Sequence, residues 1–165
     1  MAGRIEARLA EMGIELPEPV APLADYVPFV RTGNLLFVSG QLPTGADGRL
    51  VTGRLTAADH AEDGAPAPGS KLALAAEAAA LCAVNLMAQA KAATGDLDRV
   101  ARVVKLTGFV NCDATFTQHP QVINGASSLM GGVFGEAGRH SRAAVGSSSL
   151  PLGAIVEIEG VFEIE

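Results

Sequence analysis

The amino-acid sequence predicts an α+β domain in two layers, a mainly antiparallel sheet with two long helices over one face. Three observations lead there. Residues 72–93 and 118–134 carry the composition or the period of long helices, and strand-like runs at 34–41, 99–112, 141–149 and 154–164 flank and separate them. The length of 165 residues suits one such domain.

Residues 4–12 form a short helical pattern around Ile5 and Leu9 that stops at Gly13. Pro17, Pro19, Pro22 and Pro28 then enforce an extended arm, so residues 1–22 read as an extension laid on a domain of residues 23–165. Branched and aromatic side chains make 34–41 a strand, and Asp47-Gly48 predicts a turn into a second extended stretch at 49–51, giving a hairpin. Residues 57–70 have no apolar period and read as a mobile surface loop with room for one helical turn. Ser70 is a cap for the Ala-rich helix over 72–93, and Gly95 is its stop.

Between 99 and 112 the alternation puts Val104, Leu106, Gly108 and Val110 on one face and Lys105 and Thr107 on the other. In 118–134, Val122, Ala126, Leu129, Met130 and Val133 recur at helical spacing. Asn124-Gly125 is also the strongest hairpin dipeptide, but a period sustained for three turns favours the helix. Two strands close the chain. In the last, Val156, Ile158, Gly160, Phe162 and Ile164 suit the helices, while Ile155, Glu157, Glu159, Val161 and Glu163 share the other face. That mixture of acids and branched aliphatics predicts partial cover by another subunit.

Composition removes several function classes. The net charge of −6, one Tyr and no Trp leave neither a field for phosphates nor many stacking platforms, so nucleic acid is not an expected partner. The N-terminus lacks a signal-peptide apolar run, and the apolar window 72–93 is interrupted by Glu77, Asn85, Gln89 and Lys91; a cytoplasmic protein with no membrane partner is expected. Cys82 and Cys112 form no disulfide framework and read as buried, reduced thiols. His60, His119 and His140 lack metal-ligand spacing, and the glycines match no nucleotide fingerprint, so neither metal nor organic cofactor is expected. Ser147, Ser148 and Ser149 lack the surroundings of a nucleophile elbow.

Arg142 and Glu157 stand out, 15 residues apart in the last two strand-like runs. A guanidinium can hold a small carboxylate by two parallel hydrogen bonds, and a nearby glutamate can orient or deprotonate water. On the residues alone, an ordinary structural ion pair is the better explanation, since most Arg and Glu residues in sheets are not catalytic.

Further signatures sit in order along the chain: Ala24-Asp25-Tyr26, Val38-Ser39-Gly40-Gln41-Leu42-Pro43, Arg102-Val103-Val104-Lys105-Leu106, Asn124, Ser141-Arg142-Ala143-Ala144-Val145, Leu150-Pro151 and Val156-Glu157-Ile158-Glu159. On these the sequence resembles the RidA (YjgF/Rid) family of enamine/imine deaminases, from about Tyr26 to the C-terminus, in a long subgroup with an N-terminal extension. The resemblance implies a chorismate-mutase-like subunit assembled as a homotrimer with ligand clefts between neighbours. It implies hydrolysis of imines such as 2-iminopropanoate to 2-oxo acids and ammonia, with no cofactor. Arg142 would bind the substrate carboxylate and Glu157 would handle the attacking water. Tyr26, Ser39, Gly40 and Asn124 would line the pocket, and Ala144 would contribute backbone groups where active members usually carry cysteine. That change leaves non-catalytic binding of a small carboxylate or 2-oxo acid as the alternative; the acidic charge disfavours an endoribonuclease.

Overall fold

In the computed structural model, which describes residues 3–19 and 25–165, the elements follow the order α1 (Arg4–Glu11), β1 (Phe29–Thr32), β2 (Leu35–Gln41), α2 (Lys71–Thr94), β3 (Val100–Asn111), α3 (His119–Phe134), β4 (Ser141–Ser147) and β5 (Val156–Ile164). Pro22, Ala24 and the expected boundary at residue 22 lie outside the described residues. The strands form one sheet in the order β1-β2-β5-β3-β4. Neighbours are antiparallel except β3 and β4, which run parallel with α3 as their crossover. This is the predicted two-layer α+β fold.

The core lies between sheet and helices. Leu36, Val38, Val103, Leu106, Val110, Ile158 and Phe162 meet Ala79, Cys82, Leu86, Ile123, Ala126 and Met130, all buried. Ser70 Oγ accepts from the Ala73 N–H at 3.1 Å and starts α2, and Gly95 ends it in the left-handed conformation at φ 79°. Helix α2 is long and apolar enough to cross a membrane, yet its apolar side chains are spent on the sheet and α3, as in the core helix of a soluble domain. Its alanines bring α3 close, so close that a Cβ on Gly125 would fall on the Ala76 carbonyl. Asn124-Gly125 is therefore helical, its glycine serving a helix crossing rather than a turn.

Helix α1 is tied to the same core. Ile5 and Leu9 are buried, and the Arg4 and Ile5 N–H groups donate to the Asp98 carboxylate at 2.7 and 2.8 Å. Those two bonds hold the Asp98 carboxyl below the usual carboxylate range.

Three local expectations change. Strand β1 follows Pro28 directly and pairs with β2 across Gly33-Asn34, with Gly33 at φ 57°, so the hairpin partner of β2 precedes it in sequence. Residues 49–51 contribute only an isolated Thr44–Leu50 bridge. In β3, register irregularities flank Val103, which takes the buried place expected for Val104. Ile155 is fully buried rather than on the mixed face, because it precedes β5 and packs under Gly53 while its N–H donates to the Val51 carbonyl. Residues 57–59 form the single helical turn expected there, capped by Thr56 and Asp59.

Candidate functional site

Register decides which face of the sheet each candidate side chain occupies. Arg142 stands opposite Leu106, whose side chain lies under the helices, so Arg142 is on the helix side of β4. Glu157 stands opposite Phe109 and alternates with buried Val156 and Ile158, which puts it on the open face. Strand β3 separates them. Within one chain the two residues are not an ion pair, and the candidate residues divide into two clusters.

The first cluster surrounds Glu157. A register shift between Val38 and Gln41 brings Gly40 against the Glu157 carboxylate, so that a Cβ at Gly40 would coincide with its Oε1. Close approach, not an unusual φ, requires the glycine here. Ser39 ties this end of β2 to the preceding segment: its N–H donates to Pro28 O at 2.9 Å and its Oγ to Val27 O at 2.8 Å. Tyr26 precedes that anchor and is 52% exposed. Burial, and secondarily the neighbouring Glu159 charge, raises the Glu157 pKa above the ordinary glutamate value.

The second cluster surrounds Arg142. Its Nη1 donates to Ser127 Oγ at 3.0 Å and its Nη2 to the Pro120 carbonyl at 3.4 Å, both on α3. Asn124 is exposed on the same side of that helix as Pro120 and Ser127, by helical spacing. Ala144 lies two residues beyond Arg142 on the helix side of the edge strand. Ser127, Gly138, Arg139, His140 and Arg142 border an open depression of about 320 Å³.

Sequence reasoning missed two members of this cluster. His140 Nδ1 lies 2.6 Å from the Gly138 carbonyl and its Nε2 lies 2.9 Å from Ser127 Oγ. The carbonyl can only accept, so Nδ1 carries the proton, Nε2 accepts from the Ser127 hydroxyl, and Ser127 Oγ is left to accept from Arg142. A chain of defined polarity thus aims the guanidinium. The available signal was spacing: His140 stands two residues before Arg142, just ahead of β4, and Ser127 follows Asn124 by three. Ser127→Ala should lower affinity for a carboxylate ligand about fivefold while leaving thermal unfolding nearly unchanged, the loss of one charge-assisted hydrogen bond. Calorimetric titration of both proteins checks it.

Elsewhere, Glu6, Asp96 and Asp98 gather at the start of α1, where they accept backbone N–H groups from Arg4, Ile5, Leu97 and Asp98, and Glu6 pairs with Lys91 at 3.8 Å. Capping and docking of α1 account for this cluster.

A family model described as "YjgF/chorismate mutase-like, putative endoribonuclease" matches residues 6–163. Protein TCP17 of Trypanosoma cruzi is 45% identical over 164 residues, covering 99% of this chain and 96% of that protein. The crystal structure of protein Atu1372 from Agrobacterium tumefaciens is 49% identical, with a TM-score of 0.82 over 98% of this chain and 92% of that one. A structure from Shewanella oneidensis, described as a putative endoribonuclease, is 32% identical, with a TM-score of 0.85 over 98% of this chain and all of that one. Sequence and fold agree over nearly the whole length: the chain belongs to the YjgF/chorismate mutase-like family.

Proposed function

We propose that this protein hydrolyses 2-imino acids, or the enamines in equilibrium with them, to 2-oxo acids and ammonia in clefts between the subunits of a homotrimer. The observation that carries this reading is the division of the candidate residues into two incomplete halves on different faces of one chain. A carboxylate clamp sits at the β4 edge and a carboxylate base sits on the open face. A neighbouring copy that brings its Glu157, Gly40, Ser39 and Tyr26 to Arg142 and Asn124 completes one site, and ring closure makes every site equivalent. The exposed Val30, Phe37 and Val145 on the same open face would be covered in that assembly.

The chemistry follows from the two halves. Arg142 holds the substrate carboxylate with the N–H groups left over from Ser127 and Pro120, and this fixes the adjacent C=N carbon in position. Glu157 takes a proton from water as its oxygen adds to that carbon, then returns it to the nitrogen as ammonia leaves. Gly40 leaves room for that carboxylate at the cleft wall. Ala144 supplies backbone without a thiol, and a protonated imine is electrophilic enough to react without one.

A coupled assay tests the reading, with an amino-acid oxidase or a threonine dehydratase generating the imine in situ. Arg142→Lys keeps the charge and loses the fork, so kcat/KM should fall about 100-fold; an unchanged rate would remove the assigned role. Binding of a 2-oxo acid with no acceleration of imine loss would select the carboxylate-binding alternative. RNA cleavage that disappears in Arg142→Ala would select the ribonuclease reading.

The raised Glu157 pKa gives the pH profile a sign. The base works ionised, so the rate rises with pH through a limb displaced above that of an ordinary glutamate. Glu159→Gln removes the like charge and should move that limb to lower pH. Stability runs the other way: folding favours protonated Glu157, a contribution present below the unfolded-state pKa and lost as pH rises through the folded value. Rate–pH profiles of both proteins, beside thermal unfolding at each pH, separate the effects.

A further inference from the structure

Beyond the end of β3, a second group of reactive side chains lines its own cavity of about 480 Å³, bordered by Arg54, Cys112, Asp113, Phe116, His119, Gly146 and Ser147 among others. Cys112 Sγ lies 3.5 Å from His119 Nε2. Both rings around the thiol are fixed. Phe116 packs between His119 and His60, with centroids 5.3 and 5.2 Å away, and His60 Nε2 accepts the Thr117 N–H at 3.0 Å.

Gly146 makes the pair reachable. It faces the same side of β4 as Arg142 but four residues further on, about 13 Å along the strand. A Cβ there would come within 2.7 Å of Cys112 Sγ and 2.8 Å of His119 Nε2, so any other residue would fill the space over the two reactive atoms. Arg54 and Asp113 bring opposite charges to the cavity wall, and Asp113 already accepts from the Thr115 N–H and hydroxyl at 2.8 and 2.6 Å. Arg54 is exposed and forms no ion pair among the described residues.

We infer that Cys112 and His119 form a nucleophilic dyad that is covalently modified by small alkylating acids, with the acid's carboxylate held by Arg54 and its electrophilic carbon placed over Sγ. With an α-halo acid, the S–C bond forms as the carbon–halogen bond breaks, halide leaves with the electron pair, and the thiol proton passes to His119 Nε2 and on to water. With an α,β-unsaturated acid, sulfur adds to the β-carbon and the π pair moves to the α-carbon, which takes the proton from His119. Burial pushes the thiol up and the imidazole down, aided by Asp113 and by His60 respectively, so the dyad rests uncharged and the proton moves during attack. This inference does not depend on the deaminase reading.

The test is timed alkylation of the intact assembly by iodoacetate or iodoacetamide, followed by peptide mass mapping. Cys82, fully buried in α2, is the internal reference. Cys112 is only 4% exposed but borders the cavity beside a base, whereas Cys82 is fully enclosed, so Cys112 should label at least about 100-fold faster than Cys82, the lower range of general-base assistance. The ratio of iodoacetate to iodoacetamide rates should drop about tenfold in Arg54→Gln. His119→Gln should slow labelling by both reagents about 100-fold. Gly146→Ala, whose methyl would crowd Cys112 Sγ and His119 Nε2 at 2.7 and 2.8 Å, should slow both as well. Near-ultraviolet circular dichroism identifies any variant that has lost packing, and the comparison of Cys112 with Cys82 needs no variant. Labelling of Cys112 no faster than Cys82, or a wild-type reagent ratio equal to that of Arg54→Gln, overturns the proposal.

Discussion

Arg142→Ala and Glu157→Gln, each about 1,000-fold slower than wild type in imine hydrolysis, should recover activity when co-assembled, because the two halves of each site come from different copies. With equal amounts and random assortment, a site is intact only where a Glu157→Gln chain supplies arginine and an Arg142→Ala chain supplies glutamate. That is about one site in four over the whole population and one in three within the mixed trimers, so about a third of the wild-type rate should return once those are isolated. Co-expression with two different tags, isolation of mixed assemblies and the coupled assay read it out. No recovery would mean that each chain works with its own Arg142 and Glu157, which its register places on opposite faces of the sheet.

The second large effect is on stability. Gly125→Ala should cost about 3 kcal/mol and lower the unfolding midpoint by about 6 to 12 °C, the size of a severe overpacking defect in a domain of this length. The added methyl would meet the Ala76 backbone, not a side chain able to rotate away, so α2 and α3 must separate along their contact. Gly131 is the control. It lies in the same helix with nothing within 4 Å of its added Cβ, and Gly131→Ala should be neutral or stabilising by up to about 1 kcal/mol. Equal effects at the two positions would mean that the helix contact is looser than described.

The long elements were legible because their signals are local. Ser70 and Gly95 bracket α2 in sequence and cap it in the structure, and the alternation of β5 survives intact in its burial. What escaped the sequence was set by partners. Asp47-Gly48 is a strong turn signal and points to a hairpin after β2, whereas Gly33-Asn34 is weaker and follows a Pro-rich run. The burial of Val103 over Val104 depends on a ladder irregularity that alternation cannot show. Arg142 and Glu157 were legible as residues but not as a geometry, since which face each takes depends on register against β3. By its spacing in the sequence His140 fits neither a metal site nor a triad, and its hydrogen bond to Ser127 joins residues 13 positions apart.

The position of β5 governs how the chain is made. It is the last of the five strands in sequence and the middle strand of the sheet, so β1-β2 and β3-β4 share no ladder until it has been made. Until then the nascent chain holds the β1-β2 hairpin, the parallel β3-α3-β4 unit and α2 with no complete sheet to cover, and the folding step waits on pairings made over long sequence separations. Removing Val156–Ile164 would take out the centre of the sheet rather than its edge, and Glu157 with it.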